Sequence, residues 1–155
     1  MDAQRILLPY NFSQNDQKAL TFAIRTFGPL ENSELTIFHA FTPISEIEAS
    51  DHQSATAKLK RRLSYLTQEL TEREMALQEV RQYLISKGFH RDKVRYIFKS
   101  RKGEIAAAII EQTKEEDYDV IVLNHKPGKV TRFFTGSVFT KVVTALKDIT
   151  VCIVS

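Results

Sequence analysis

Short apolar runs alternate along the chain with longer stretches whose apolar residues recur every third or fourth position. The run RILLP, residues 5–9, is apolar almost throughout and ends on a proline, the pattern of a buried strand. Ser13 then offers a hydroxyl at a helix start, and Asp16 three residues on makes a short-armed capping box. Ala19, Leu20, Ala23, Ile24 and Phe27 follow at helical spacing until Gly28-Pro29 stops the helix. Residues 34–41 form a second apolar run, and residues 42–50 read as loop. Leu59, Leu63, Leu66, Leu70, Leu77, Val80 and Leu84 predict the longest helix, closed by a basic turn and a glycine at Lys87-Gly88. The stripe weakens at Arg73, where a bend is expected; with so few sustained heptads the stripe reads as core packing, not a coiled coil. Residues 93–98 alternate as a strand does, 104–116 repeat helically behind Gly103, 119–123 are a strand, 137–146 a helix and 150–154 a last strand.

The order is therefore strand–helix repeated, with a fifth strand at the end. That alternation predicts a single α/β domain with a parallel sheet covered on both faces. Right-handed crossovers restrict it to a few doubly wound sheets. In such sheets ligands bind beyond the carboxyl ends of the strands, where the strand order reverses. With five strands in the order 3-2-1-4-5, strands one and four flank that point. The segments just beyond them are residues 10–13 and the glycine-bearing, basic stretch 124–135.

Composition narrows the class without naming a function. The 155 residues suit one domain with a real core. No apolar run approaches the roughly 20 residues of a membrane helix, and the opening MDAQRILLPYNF lacks the apolar region of a signal peptide. The lone Cys152 has no internal partner for a disulfide. These features predict a cytoplasmic protein away from membranes. A formal net charge of +3 is too mild to imply nucleic-acid binding.

Five blocks, RILLPYNFS, LTIFHAF, RKGEIAAAIIEQTKEEDYDVIVLN, FFTGSVFTKVV and ITVCIVS, occur in that order nearly end to end. Together they resemble the universal stress protein family; the part least like it is residues 42–86. The resemblance implies a five-stranded parallel sheet, a dimeric stress-response binding or signalling module, and a homodimer paired through the final strand. In one branch it also implies ATP, with Mg, at the switch point, and at most slow ATP hydrolysis. That branch carries an aspartate after the first strand, where this chain has Asn11. Its loop after the fourth strand has a glycine, two residues, a second glycine, nine residues, then Gly-Ser or Gly-Thr. Asn124 stands at the first glycine, Pro127 and Gly128 compete for the second in a loop one residue short, and Gly136-Ser137 matches.

Gly136 and Ser137 at a helix start can offer backbone amides to an anion, aided by the helix dipole. Lys126, Lys129 and Arg132 can neutralise a triphosphate. Asn124 tolerates a left-handed conformation better than most residues, whereas Pro127 removes a donor. Asn11 can bond a ribose hydroxyl but brings no charge to a metal. On this reading Pro9, Asn11 and the Ala40 backbone border the nucleoside, and Asn124, His125, Gly128, Gly136, Ser137 and Val138 border the phosphates. The other reading stays open: Gly136-Ser137 only caps a helix, and the protein works through protein contacts.

Other chemistry-bearing residues have plain structural readings. His39 in a central strand reads as a hydrogen-bonded core histidine, and His125 as an exposed loop residue. His52 and His90 have no partners by spacing, and no His, Cys or Asp cluster has metal-ligand spacing. Ser13 lacks a nucleophile elbow and reads as a cap. Glu115, Glu116, Asp117 and Asp119 read as a solvated acidic turn, and Lys99, Arg101 and Lys102 as solvated charges. Nothing offers a general base or an adenylyl-transfer motif, so no catalytic residue is assigned. Val151, Cys152, Ile153 and Val154 lie in a last strand apolar on both faces; at a sheet edge it invites a second copy.

Overall fold

The computed structural model describes residues 2–44, 56–125 and 138–155. The strands are β1 (Gln4–Pro9), β2 (Ser33–Phe41), β3 (Val94–Ser100), β4 (Val120–Asn124) and β5 (Thr150–Val154). The helices are α1 (Gln14–Phe27), α2 (Thr56–Ser86), α3 (Ile105–Glu115) and α4 (Val138–Ala145), with one 3₁₀ turn at Arg91–Lys93. All strand pairs are parallel, and the sheet order is β3-β2-β1-β4-β5. This is the predicted doubly wound α/β sheet.

Strand residues alternate between two cores, as a period of two requires. Ile6, Leu8, Leu35, Ile37, Val120 and Val122 pack with α1 and with Leu77 and Leu84 of α2. Leu7, Phe38, Ile121 and Leu123 pack against Ala106 and Ile109 of α3 and Val142 of α4. Helices α1 and α2 therefore cover one face, and α3 and α4 the other. The chain leaves β1 toward the first face, while α4 follows β4 on the opposite face. This divergence opens a crevice between neighbouring strand ends.

Local chemistry sets the element boundaries. Ser13 and Asp16 form the predicted capping box at the start of α1. At the end of α1, Gly28 is right-handed, and a Cβ there would collide with the Ile24 carbonyl. Gly88, with φ +117°, ends α2 in a left-handed turn, and the Phe89 amide reaches back to the Leu84 carbonyl. Lys93 belongs to the 3₁₀ turn rather than to β3.

Several expectations change. Helix α2 is one element from Thr56 to Ser86. Its stripe is core only toward the C-terminus: Leu77 and Leu84 are fully buried, while Leu59, Leu63, Leu66 and Leu70 are only half-buried. The acidic turn before β4 is solvated, as predicted, with Glu115, Asp117 and Asp119 exposed, and it is also bonded. Glu116 pairs with Arg5 and Arg95, and the Tyr118 hydroxyl donates to it. Asp119 accepts from the Arg5 amide at 2.7 Å. Lys99 pairs with Glu115, and Arg101 donates to the Gly103 carbonyl and the Thr42 hydroxyl, so neither is a lone solvated charge.

Candidate functional site

A crevice of about 180 Å³ lies at the carboxyl ends of β1, β2 and β4. Phe38, Ile105, Ile109 and Leu123 make its apolar wall, and Asn11, Ser13, Asp16 and Asn124 its polar rim. Of the predicted site residues, Pro9, Asn11, Ala40, Asn124 and Val138 all line it. Gly128, Gly136 and Ser137, with Lys126, Pro127, Lys129, Arg132 and His52, lie outside the described residues. His125 is half-buried: its amide donates to the Val154 carbonyl at 2.7 Å, and its ring meets Phe139 edge to face. That differs from the exposed loop histidine read from sequence.

The rim is organised by a residue that sequence reasoning treated only as a cap. Asp16 is 2% exposed. Its Oδ2 accepts from the Asn11 amide at 2.9 Å, the Ser13 amide at 3.0 Å and the Ser13 hydroxyl at 2.8 Å. Its Oδ1 accepts from the Asn124 side-chain amide. The carboxylate thus joins the turn after β1 to the end of β4, across the point where strand order reverses. Phe12, held between the two gripped amides, is left-handed with φ +60°. Its ring packs edge-on against Tyr10 and His39. The spacing of Ser13 and Asp16 reveals the cap, but nothing in the local pattern reveals a partner more than a hundred residues away.

Asn124 serves this junction through its side chain, as the last residue of β4 and without a positive φ. The left-handed tolerance inferred for it is not what the fold uses. The chemistry of the donor set also bears on Mg. Among the described residues lining the crevice, Asp16 is the sole carboxylate, and both its oxygens already accept hydrogen bonds. Asn11 adds no charge. These residues do not fit a carboxylate-held Mg.

His39 is the predicted core histidine. Its Nδ1 lies 2.8 Å from the Tyr10 carbonyl, which can only accept, so the proton sits on Nδ1. The ring stacks on Phe98, and buried Nε2 has no partner among the described residues. Burial holds its pKa below the ordinary imidazole value; the Tyr10 bond opposes this and Arg73 adds to it. Cys152 is half-buried in β5, and desolvation pushes its thiol pKa up.

The doubly wound parallel sheet, with an apolar-walled, polar-rimmed crevice at its switch point, defines the fold class. The chain belongs to the universal stress protein family, whose sequence model matches residues 3–152. No curated protein sequence is similar enough to count as a relative. Solved structures share the fold. A universal stress protein from Lactobacillus plantarum is 20% identical, with a TM-score of 0.70, covering 100% of this chain and 99% of that one. A universal stress protein in complex with cAMP is 18% identical, with a TM-score of 0.65 and coverage of 100% and 98%. One from Archaeoglobus fulgidus in complex with dAMP is 16% identical, with a TM-score of 0.63 and coverage of 100% of both chains.

Proposed function

We propose that the protein is a small binding and signalling module whose switch-point crevice takes an adenine nucleotide, and that it acts as a homodimer through β5. The observation that carries the binding reading is the crevice itself, lined by apolar Phe38, Ala40, Ile109 and Leu123 together with polar Asn11. Its volume falls below the roughly 300 Å³ at which ordinary small-molecule pockets begin. It therefore holds the base and leaves sugar and phosphates at the mouth, where Asn11 is exposed. Family neighbours in complex with cAMP and dAMP support a ligand of this class. The dimer reading is supported by β5 at the sheet edge, with Ile153 47% exposed.

One observation favours a second reading, a stress-response protein without nucleotide that works through protein contacts. Asn124, at the position of a loop glycine in the ATP-binding branch, is committed to Asp16. Isothermal titration with AMP, cAMP, ATP and Mg-ATP separates the two. The first reading predicts saturable heat with at least one adenine nucleotide, abolished in Ala40→Phe, whose ring fills the slot. No heat at millimolar nucleotide, with intact fold, favours the second.

A further inference from the structure

The turn that rims the crevice is held from two sides. Asp16 grips the amides of Asn11 and Ser13 from α1. From β2, His39 grips the residue before them: its Nδ1–H donates to the Tyr10 carbonyl at 2.8 Å. His39 shares the parity of Leu35 and Ile37, so its ring turns to the α1–α2 face. There it meets Phe12 edge to face at 5.3 Å and stacks on Phe98 at 5.5 Å between centroids. Phe12 sits between the gripped amides at φ +60°, a strained conformation for a bulky residue. A strained turn keeps its shape only while its surroundings hold it, and His39 supplies both a hydrogen bond and a packing partner.

Only the neutral ring suits this place. A second proton lands on Nε2, which is buried and has no partner among the described residues. The charged groups that act on the ring are Asp16 of α1 and Arg73 of α2. Both Asp16 oxygens are already taken by the turn and by Asn124. Arg73 repels an imidazolium, and it is paired with Glu69. β3 offers the apolar ring of Phe98, and the Tyr10 hydroxyl at the end of β1 is engaged by Gln17. A charge buried without an acceptor is relieved only by reaching water. The nearest route is to leave the aromatic contacts, and the strained turn loses one of its two holds when it does.

We propose that His39 is a positioning residue that makes the crevice acid-sensitive: neutral, it locks the turn from Tyr10 to Ser13, and doubly protonated, it releases that turn, so that ligand binding weakens in acid. Burial holds the imidazole pKa below its ordinary value, so the lock is complete at neutral pH and is lost as pH falls through the folded pKa. The ligand part rests on the nucleotide reading above; the release of the turn does not.

The test is nuclear magnetic resonance of the labelled full chain, without ligand, from about pH 7.5 to about pH 5. The amides of Asn11, Phe12 and Ser13 should shift on the titration curve of the His39 ring. Their protection against hydrogen exchange should fall about tenfold across it, while Ile37 and Val122 in the core stay protected. His39→Asn sets an amide nitrogen where Nδ1 stands and cannot titrate, so the transition should vanish in it. Calorimetry with cAMP, whose phosphodiester does not titrate in this range, should show affinity falling about fivefold in the wild type alone. Turn amides that stay fixed while His39 titrates overturn the proposal. So does a His39 that stays neutral throughout, a transition that persists in His39→Asn, or a loss of protection shared by Ile37 and Val122. If His39→Asn does not fold, the wild-type curves decide. If cAMP binds at no pH, the nucleotide reading fails, and the ligand-free spectra still decide whether His39 releases the turn.

Discussion

Asp16 carries more of the site than any other side chain, because four donors from two loops converge on one buried carboxylate. Asp16→Ala strands those donors, and hydrogen bonds to a charged group contribute about 1.5–3 kcal/mol each at most. With water rescuing the exposed ones, the net loss is about 2–4 kcal/mol, read as a fall in the urea midpoint. His39 makes the residue scale pH-dependent. Its folded pKa lies below the unfolded value near 6.5, so the unfolded chain binds the extra proton. Stability is complete above that value and falls as pH drops through it toward the folded pKa. Thermal melts from about pH 7.5 to about pH 5 should therefore show a steeper decline for the wild type than for His39→Phe. The histidine's core role was legible from its strand. The reach of Asp16 was not, because a cap and a long-range tie use the same residue and only folding brings Asn124 to it.

Elements were read from sequence almost to the residue, because each has one periodicity and a distinct stop: Pro9 for β1, Gly28 for α1, Gly88 for α2. Helix α2 is the exception. Its stripe resumes past Arg73 and runs the length of the helix, but the sheet beneath it is shorter, and a hydrophobic period does not say how far its partner extends. The two halves should respond differently to truncation. Leu77→Ala removes a fully buried side chain and should cost about 2–5 kcal/mol. Leu63→Ala should cost less, about 1–2 kcal/mol, because its side chain is only half-buried and solvent reaches the gap the change leaves. Chemical denaturation of the two variants side by side checks the contrast.

At the scale of the whole molecule, strand order decides where binding is possible. The β1–β4 adjacency sends one connection to the α1 face and sets α4 on the other, and the crevice follows from that divergence. Strand–helix alternation narrowed the sheet to a few doubly wound orders, and with the family resemblance this order and the crevice position could be expected. Its inner wall was not: Ile105 and Ile109 come from α3, whose apolar face looks in sequence like any core stripe. The central claim is that this crevice holds an adenine nucleotide. Amide chemical-shift mapping of the labelled protein during titration with AMP or cAMP tests it most directly. The account predicts saturable shifts centred on Tyr10, Asn11, Ala40, Asn124 and Val138, with Tyr83 and Gly88 at the far end of α2 unmoved. Shifts centred instead on the α1–β5 groove around Phe22 and Val154, or none at millimolar nucleotide, would contradict it.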